Sequence, residues 1–223
     1  MTLALVTAKK MSDAQNFIRA NTRLHSPPLV PEIRLYLAEE SIPIWQKTEE
    51  ELGVMNIPPP FWAFAWAGGQ ALARYVLDNP DVCRGRRVLD LGSGSGMTAI
   101  AAMKAGAQSV LAADIDGFAL AACRANAEAN GVVFDVTSED LLSLPPPVAD
   151  VVLAGDLFYE RGLAERVGAF VDASKAIGAV VLIGDPQRNY FPHGRFTLAG
   201  EYEVPVTREL EDSLIKKTAV WRA

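Results

Sequence analysis

From Arg87 onward, short apolar runs alternate with longer amphipathic ones, and each switch falls at a glycine or a polar capping residue. Val88 to Leu91 reads as a buried strand, and Thr98 to Ala105 as an alanine-rich helix that stops at Gly106. Ser109 to Ala113 is the next strand. Phe118 to Asn130 is a helix with Asp116 as a plausible N-cap and Gly131 as its C-terminal stop. Val132 to Val136 and Asp150 to Ala154 are strands, Leu163 to Lys175 is a helix, and Ala179 to Ile183 is a fifth strand. Strands alternating with helices imply a mainly parallel sheet covered on both faces. The chain then changes character: Arg195 to Val206 and Lys217 to Arg222 are rich in β-formers and suggest an antiparallel pair closing one sheet edge.

The residues before this unit are less regular. Ser12-x-x-Gln15 has the form of a capping box and predicts a helix from about Asp13 to Asn21. Pro27, Pro28 and Pro31 interrupt the chain, and Ile33 to Leu37 alternates as a short strand. Ile44 to Leu52 reads as a helix whose acidic run, Glu49 to Glu51, is a solvated face. Three prolines then lead into Phe61, Trp62, Phe64 and Trp66, four aromatics within six residues. Such a stretch either plugs one end of a core or rims a ligand pocket. Gln70 to Leu77 follows as a helix ended by Asn79-Pro80. The expected organisation is an N-terminal extension over residues 1–56 and one domain over 57–223, with no repeat and no flexible linker.

A net charge of −6 argues against a nucleic-acid partner, which would want clustered Lys and Arg. The short basic clusters, Arg84 with Arg86 and Arg87, and Lys216 with Lys217, read as solvated surface. Cys83 and Cys123 form no CxxC, and with only two histidines no dense set of metal ligands exists. Free thiols, no secretory-type N-terminus and no long apolar span together predict a cytoplasmic protein without a membrane anchor.

The candidate chemistry lies in Val88 to Gly96, VLDLGSGSG: a strand, a glycine loop and a helix. Gly92, Gly94 and Gly96 permit a tight turn with close backbone approach to a ligand. Asp114 ends the next strand, 18 residues after Gly96, where a carboxylate can accept hydrogen bonds from ribose hydroxyls. A dinucleotide fingerprint would place glycine at position 97, which is Met97. Asp90, inside the strand, suits a cationic ligand portion. S-adenosyl-L-methionine carries an amine, a sulfonium and a ribose but no pyrophosphate, and fits better than a dinucleotide. Asp140 lies where a carboxylate can accept from the adenine amino group, or else is an N-cap or turn residue; Ile115 can pack on the adenine face.

VLDLGSGSG, AADID and SEDLL together resemble the class I methyltransferases. FWAFAWAGGQALARYVLDNP (Phe61 to Pro80), GDLFYE (Gly155 to Glu160) and LIGDP (Leu182 to Pro186) narrow the resemblance. They look like the electron transfer flavoprotein β-subunit lysine methyltransferases, relatives of the ribosomal protein L11 methyltransferase. The family's WPGG is WAGG here, with Ala67. The resemblance implies a Rossmann-like α/β fold with a seven-stranded sheet, order 3-2-1-4-5-7-6, last strand antiparallel. It implies a cofactor site of Trp66, Gly69, Gln70, Asp90, Gly92, Ser93, Gly94, Gly96, Asp114, Ile115, Asp140 and Leu141. It places Asp156, Phe158 and Tyr159 at the methyl-acceptor site. The nucleic-acid amino-methyltransferases often carry Asn/Asp-Pro-Pro-aromatic there; Asp156-Leu157-Phe158-Tyr159 disfavours a planar base. The implied reaction converts S-adenosyl-L-methionine to S-adenosyl-L-homocysteine while methylating a protein lysine, on the flavoprotein β subunit or on a ribosomal protein. A small-molecule methyltransferase, an NAD-type oxidoreductase on the same fold and a non-catalytic nucleotide-binding protein are the competing readings.

Overall fold

Seven strands form one sheet in the computed structural model, which describes residues 14–38, 60–206 and 214–223. Five of them are parallel: β3 (Arg87–Leu91), β4 (Ser109–Ala113), β5 (Asp135–Thr137), β6 (Val151–Gly155) and β7 (Val180–Asp185). β8 (Thr197–Pro205) and β9 (Ile215–Arg222) complete it, and the order across the sheet is β5-β4-β3-β6-β7-β9-β8. Counted from β3, that is 3-2-1-4-5-7-6. Strand β9 runs antiparallel to both neighbours, as expected. A separate hairpin pairs β1 (Arg23–His25) with β2 (Leu35–Leu37).

Alternating residues of the central strands feed two cores. Val88, Val110, Ala112, Val151, Leu153 and Leu182 face one side of the sheet. Leu89, Leu91, Val152, Ala154, Val181 and Ile183 face the other. This period of two, with both faces apolar, is what a doubly covered sheet requires. Helices α2 (Ala67–Asp78), α3 (Met97–Lys104) and α4 (Gly117–Asn130) succeed a helical stretch at 14–21, here α1, and α5 (Arg161–Ala176) completes the set. Helix α5 starts on the Glu160 carboxylate, which accepts from the N–H groups of Gly162 and Leu163. Helix α4 starts on Asp116, which accepts from the Phe118 N–H, and ends at Gly131 in the left-handed region.

Several boundaries move. Helix α2 begins at Ala67, three residues earlier than the sequence suggests, because Gly68 and Gly69 lie inside it. A Cβ on Gly68 would collide with the Gly184 carbonyl, and one on Gly155 would sit 3.1 Å from the Gly69 Cα. The two glycines therefore let the first turn of α2 lie directly on the ends of β6 and β7. The third parallel strand is 135–137 rather than 132–136; Val133 before it is exposed. The partner strand at 23–25 has no apolar alternation and was invisible to a pattern reading; its three residues are all exposed. The expected helix at 44–52, the Ser12 cap, Asp13 and Pro58 and Pro59 lie outside the described residues.

The early segment is packed into the domain. Val30, Ile33, Leu35 and Leu37 are buried within the same core as α2 and α3. The buried Asn126 side chain accepts from the Tyr36 N–H at 2.7 Å and donates to the Ser95 carbonyl at 2.8 Å, linking this segment through α4 to the glycine loop.

Candidate active site

A cavity of about 610 Å³ opens over the C-terminal ends of β3, β4 and β6, where ligands bind in open α/β sheets. Its walls include Gly92 and Gly94, Asp114 to Asp116, Glu139 to Leu142, Gly155 to Leu157, Tyr159, and the aromatics Phe61, Trp62 and Trp66.

The glycine loop is built by positive backbone angles: φ is 63° at Gly92, 51° at Gly94 and 77° at Gly96. A Cβ on Gly92 would lie 2.6 Å from Leu157 Cδ2, and one on Gly96 within 3.1 Å of Cys123 Sγ. At Gly94 nothing but the Trp62 Cα, 3.9 Å off, stands near that position, so this residue fronts the open cavity. Asp114 locks the loop. Its carboxylate accepts from the Gly94 N–H at 2.8 Å and the Asp116 N–H at 3.0 Å. Burial raises its pKa, and these two bonds oppose that rise. These bonds use one lone pair on each oxygen, and Asp114 lines the cavity.

Asp90 is placed differently from expectation. It is buried, off the cavity wall, and faces α3: the Thr98 hydroxyl donates to Oδ1 and the Ala99 N–H donates to Oδ2. Burial pushes its pKa up to about 7 against those two bonds, and the Asp114 charge pushes the same way. Asp90 therefore ties strand to helix beneath the loop. Ser93 and Gly96 likewise shape the turn from below; the Ser93 hydroxyl sits 3.5 Å from Cys123 Sγ. The Gln70 side chain is also buried, accepting from the Leu29 N–H and donating to the Ala65 carbonyl.

At the opposite end, Ile115 is 73% exposed, a bare apolar platform beside Leu141 and Leu142. Asp140 is no bare turn residue. Arg166 donates to it at 2.6 and 2.7 Å and the Ser143 hydroxyl at 2.8 Å, which lowers its pKa.

The third region surrounds Asp156, which follows β6 in the left-handed region at φ 58°. Its Oδ2 accepts from the Gly69 N–H at 2.8 Å, so the carboxylate caps the start of α2. Its Oδ1 accepts from Arg188 Nη2 at 2.8 Å and Nε at 3.2 Å. The Arg188 guanidinium also lies 5.6 Å from the centre of the Trp66 ring. Tyr159 and Phe61 are both about half-exposed and stand 6.0 Å apart, ring to ring, at the cavity rim. Phe158 does not join them. Its ring is buried beneath, packed edge-on against Phe191, so its expected place at the acceptor site is corrected to a supporting one. The aromatic stretch divides in the same way. Trp62 and Phe64 are buried, Trp62 stacked near Phe118 while still reaching the cavity wall, and Phe61 and Trp66 edge the cavity with more of their rings exposed.

Sequence reasoning missed Arg166, Arg188 and Asp185. The signal available for the last two was position, since Asp185 is the last residue of β7 and Arg188 lies three residues beyond it.

Residues 70–159 match the family described as Ribosomal protein L11 methyltransferase (PrmA). In fold, the chain is similar to magnesium protoporphyrin IX methyltransferase from Synechocystis PCC 6803, solved with bound SAM; the TM-score is 0.50 at 14% identity, covering 69% of this chain and 76% of that one. Its sheet order and glycine loop are those of the class I S-adenosylmethionine-dependent methyltransferase fold. Rattus norvegicus electron transfer flavoprotein beta subunit lysine methyltransferase is 38% identical over 213 residues, 92% of this chain and 82% of that protein. The Xenopus laevis counterpart is 42% identical over 179 residues, 79% and 72% of the two. The chain belongs to the electron transfer flavoprotein β subunit lysine methyltransferase family.

Proposed function

We propose that this protein methylates lysine on the β subunit of electron transfer flavoprotein, with ribosomal-protein lysines as a second class of acceptor. The single observation that carries the reading is 38% identity over 92% of this chain to a protein of that name, which the acidic and aromatic cavity at the strand ends supports. The catalytic domain in this reading is residues 57–223, and 1–56 its extension. A reducing, cytoplasmic setting is supported by two buried free thiols, Cys83 and Cys123. Among the described residues no helix is long and apolar enough to cross a membrane.

The lining suits S-adenosyl-L-methionine, which supplies an electrophilic methyl group on a sulfonium. In this reading Asp114 holds the ribose hydroxyls, Ile115 and Leu141 flank the adenine, and Asp140 with Arg166 borders its amino edge. Gly92 and Gly94 bring backbone close to the methionine portion, on the support of Asp90, Ser93 and Gly96. Trp66 closes that end; Gly69 and Gln70 hold it through Asp156 and the Ala65 carbonyl. Glu139, Asp116 and Asp114 make the cavity acidic, which favours a cationic ligand.

The acceptor side must deliver a neutral amine. A lysine with pKa about 10.4 carries its proton at pH 7, and removing it costs about 4.6 kcal/mol. The Phe61 and Tyr159 pair would strip water from the side chain and disfavour the ammonium. Burial and the nearby Asp114 and Glu160 charges raise the Tyr159 pKa, so its hydroxyl stays protonated at neutral pH and can donate or accept. Asp156, already bonded on both oxygens, orients the amine rather than acting as a free base. Alignment of amine and methyl supplies the remaining acceleration. Intact-mass spectrometry of the flavoprotein β subunit after incubation with enzyme and cofactor tests the reading; robust labelling of a metabolite or nucleic acid and none of protein would reject it.

A further inference from the structure

We propose that Arg188 is a further functional residue of the acceptor site, its fixed guanidinium charge keeping the incoming lysine in the neutral, nucleophilic form. The inference rests on the lysine-methyltransferase reading above and adds a residue to it. Arg188 lies on the cavity wall and is held through both its side chain and its backbone. Its Nε and Nη2 donate to Asp156, its ring-facing side lies over Trp66, and its backbone N–H donates to Asp185 Oδ1 at 2.6 Å. Asp185 is wholly buried, and its Oδ2 has no hydrogen-bond partner. The turn that carries Arg188 is fixed by Gln187 at φ 63°.

Asp156 alone, at the acceptor site, would stabilise an ammonium and suppress the reaction. Paired with Arg188 its charge is cancelled, and a second cation close to the guanidinium is disfavoured. The amine's proton then leaves to water past the exposed rim of Phe61 and Tyr159. The other ionisable groups on the cavity wall are Asp114 and Asp116 after β4, Glu139 and Asp140 after β5, and Arg166 on α5, which pairs with Asp140; the Asp114 and Glu160 charges both act on Tyr159. Tyr159 stands at the rim. Asp185 lies behind Arg188, its own pKa pushed up to about 7 by burial, against the bonds it accepts.

The test is the pH profile of kcat for methyl transfer, at saturating flavoprotein β subunit and cofactor, from pH 6 to 10, because kcat reports ionisations in the bound complex; cofactor affinity is measured separately by calorimetry. Arg188→Gln should move the acidic limb up by about one unit, so that it is roughly tenfold slower at pH 7 and converges on the parent rate near pH 10. Arg188→Lys should track the parent. Asp156→Asn, which removes the Asp156 charge from beside Arg188, should move the limb the opposite way, and this second variant keeps the test alive if Arg188→Gln does not fold. Asp185→Asn should leave the limb within a few tenths of a unit, separating its titration from that of the amine. Arg188→Gln that is slowed equally at every pH, an unshifted limb, or a parallel loss of cofactor affinity would overturn the role given to Arg188. An unmodified enzyme that transfers no methyl group to lysine would instead refute the functional reading, and this role with it.

Discussion

Asp156 and Arg188 form an ion pair at 2.8 Å with their side chains only 11% and 18% exposed, and it joins the end of β6 to the turn after β7. The same carboxylate caps α2 through the Gly69 N–H. Breaking a pair this buried strands a charge as well as losing a contact. Asp156→Ala should lower stability by about 2–3 kcal/mol, less than a fully buried pair would lose, and should abolish methyl transfer. Asp156→Asn keeps the tolerance for left-handed backbone and should lose less stability. Chemical denaturation of the two variants beside the parent checks the ranking.

Glycine substitutions should separate binding from folding. Gly94→Arg would project into the cavity with nothing but Trp62 Cα nearby, at some cost in stability for a side chain at φ 51°, so the protein should fold less stably and fail to bind cofactor. Gly68→Ala would drive a methyl into the Gly184 carbonyl and should impair folding instead. Calorimetry with S-adenosyl-L-homocysteine, alongside thermal melting, distinguishes the two outcomes. Undiminished binding by a folded Gly94→Arg variant would remove the cofactor from this cavity.

The aromatic stretch makes a second contrast. Trp62 is 2% exposed, so Trp62→Ala should cost about 3–5 kcal/mol of stability. Phe61 is 45% exposed, so Phe61→Ala should cost well under 1 kcal/mol and chiefly raise KM for the protein substrate. Equal effects of the two on stability would contradict the division.

Much of this was legible beforehand. The strands β3, β4, β6 and β7 are short apolar runs bounded by loops, and periodicity finds such runs readily. The Gly92 to Gly96 turn and Asp114 stood out because few residue types satisfy that geometry. What stayed hidden was the direction of side chains and the role of sparse contacts. Nothing local says that Phe158 turns inward while Tyr159 turns outward, or that Asp90 faces α3. Arg188 looks like an ordinary loop arginine until β7 brings it beside Asp156. The exposed strand at 23–25 is specified by its pairing with 35–37, a tertiary relation that no pattern within it records.

Asp185 should leave a mark on stability against pH. Its folded pKa is about 7, above an ordinary value of 3.8, so the folded protein binds more protons between those values. Stability should therefore fall as pH rises from about 4 to 7 and level off above. Asp90 shares the same direction and range. Asp185→Asn should flatten its share of that slope, which denaturant titrations at pH 5 and pH 8 will show. A steeper slope in the variant would contradict the assignment.

The most direct measurement is mass spectrometry of purified electron transfer flavoprotein β subunit after incubation with this enzyme and S-adenosyl-L-methionine. The account predicts mass gains in steps of roughly 14 Da, one per methyl group, located on lysine and lost with Gly94→Arg. No gain on the protein, with methyl transfer to a nucleic acid or a metabolite instead, would contradict it.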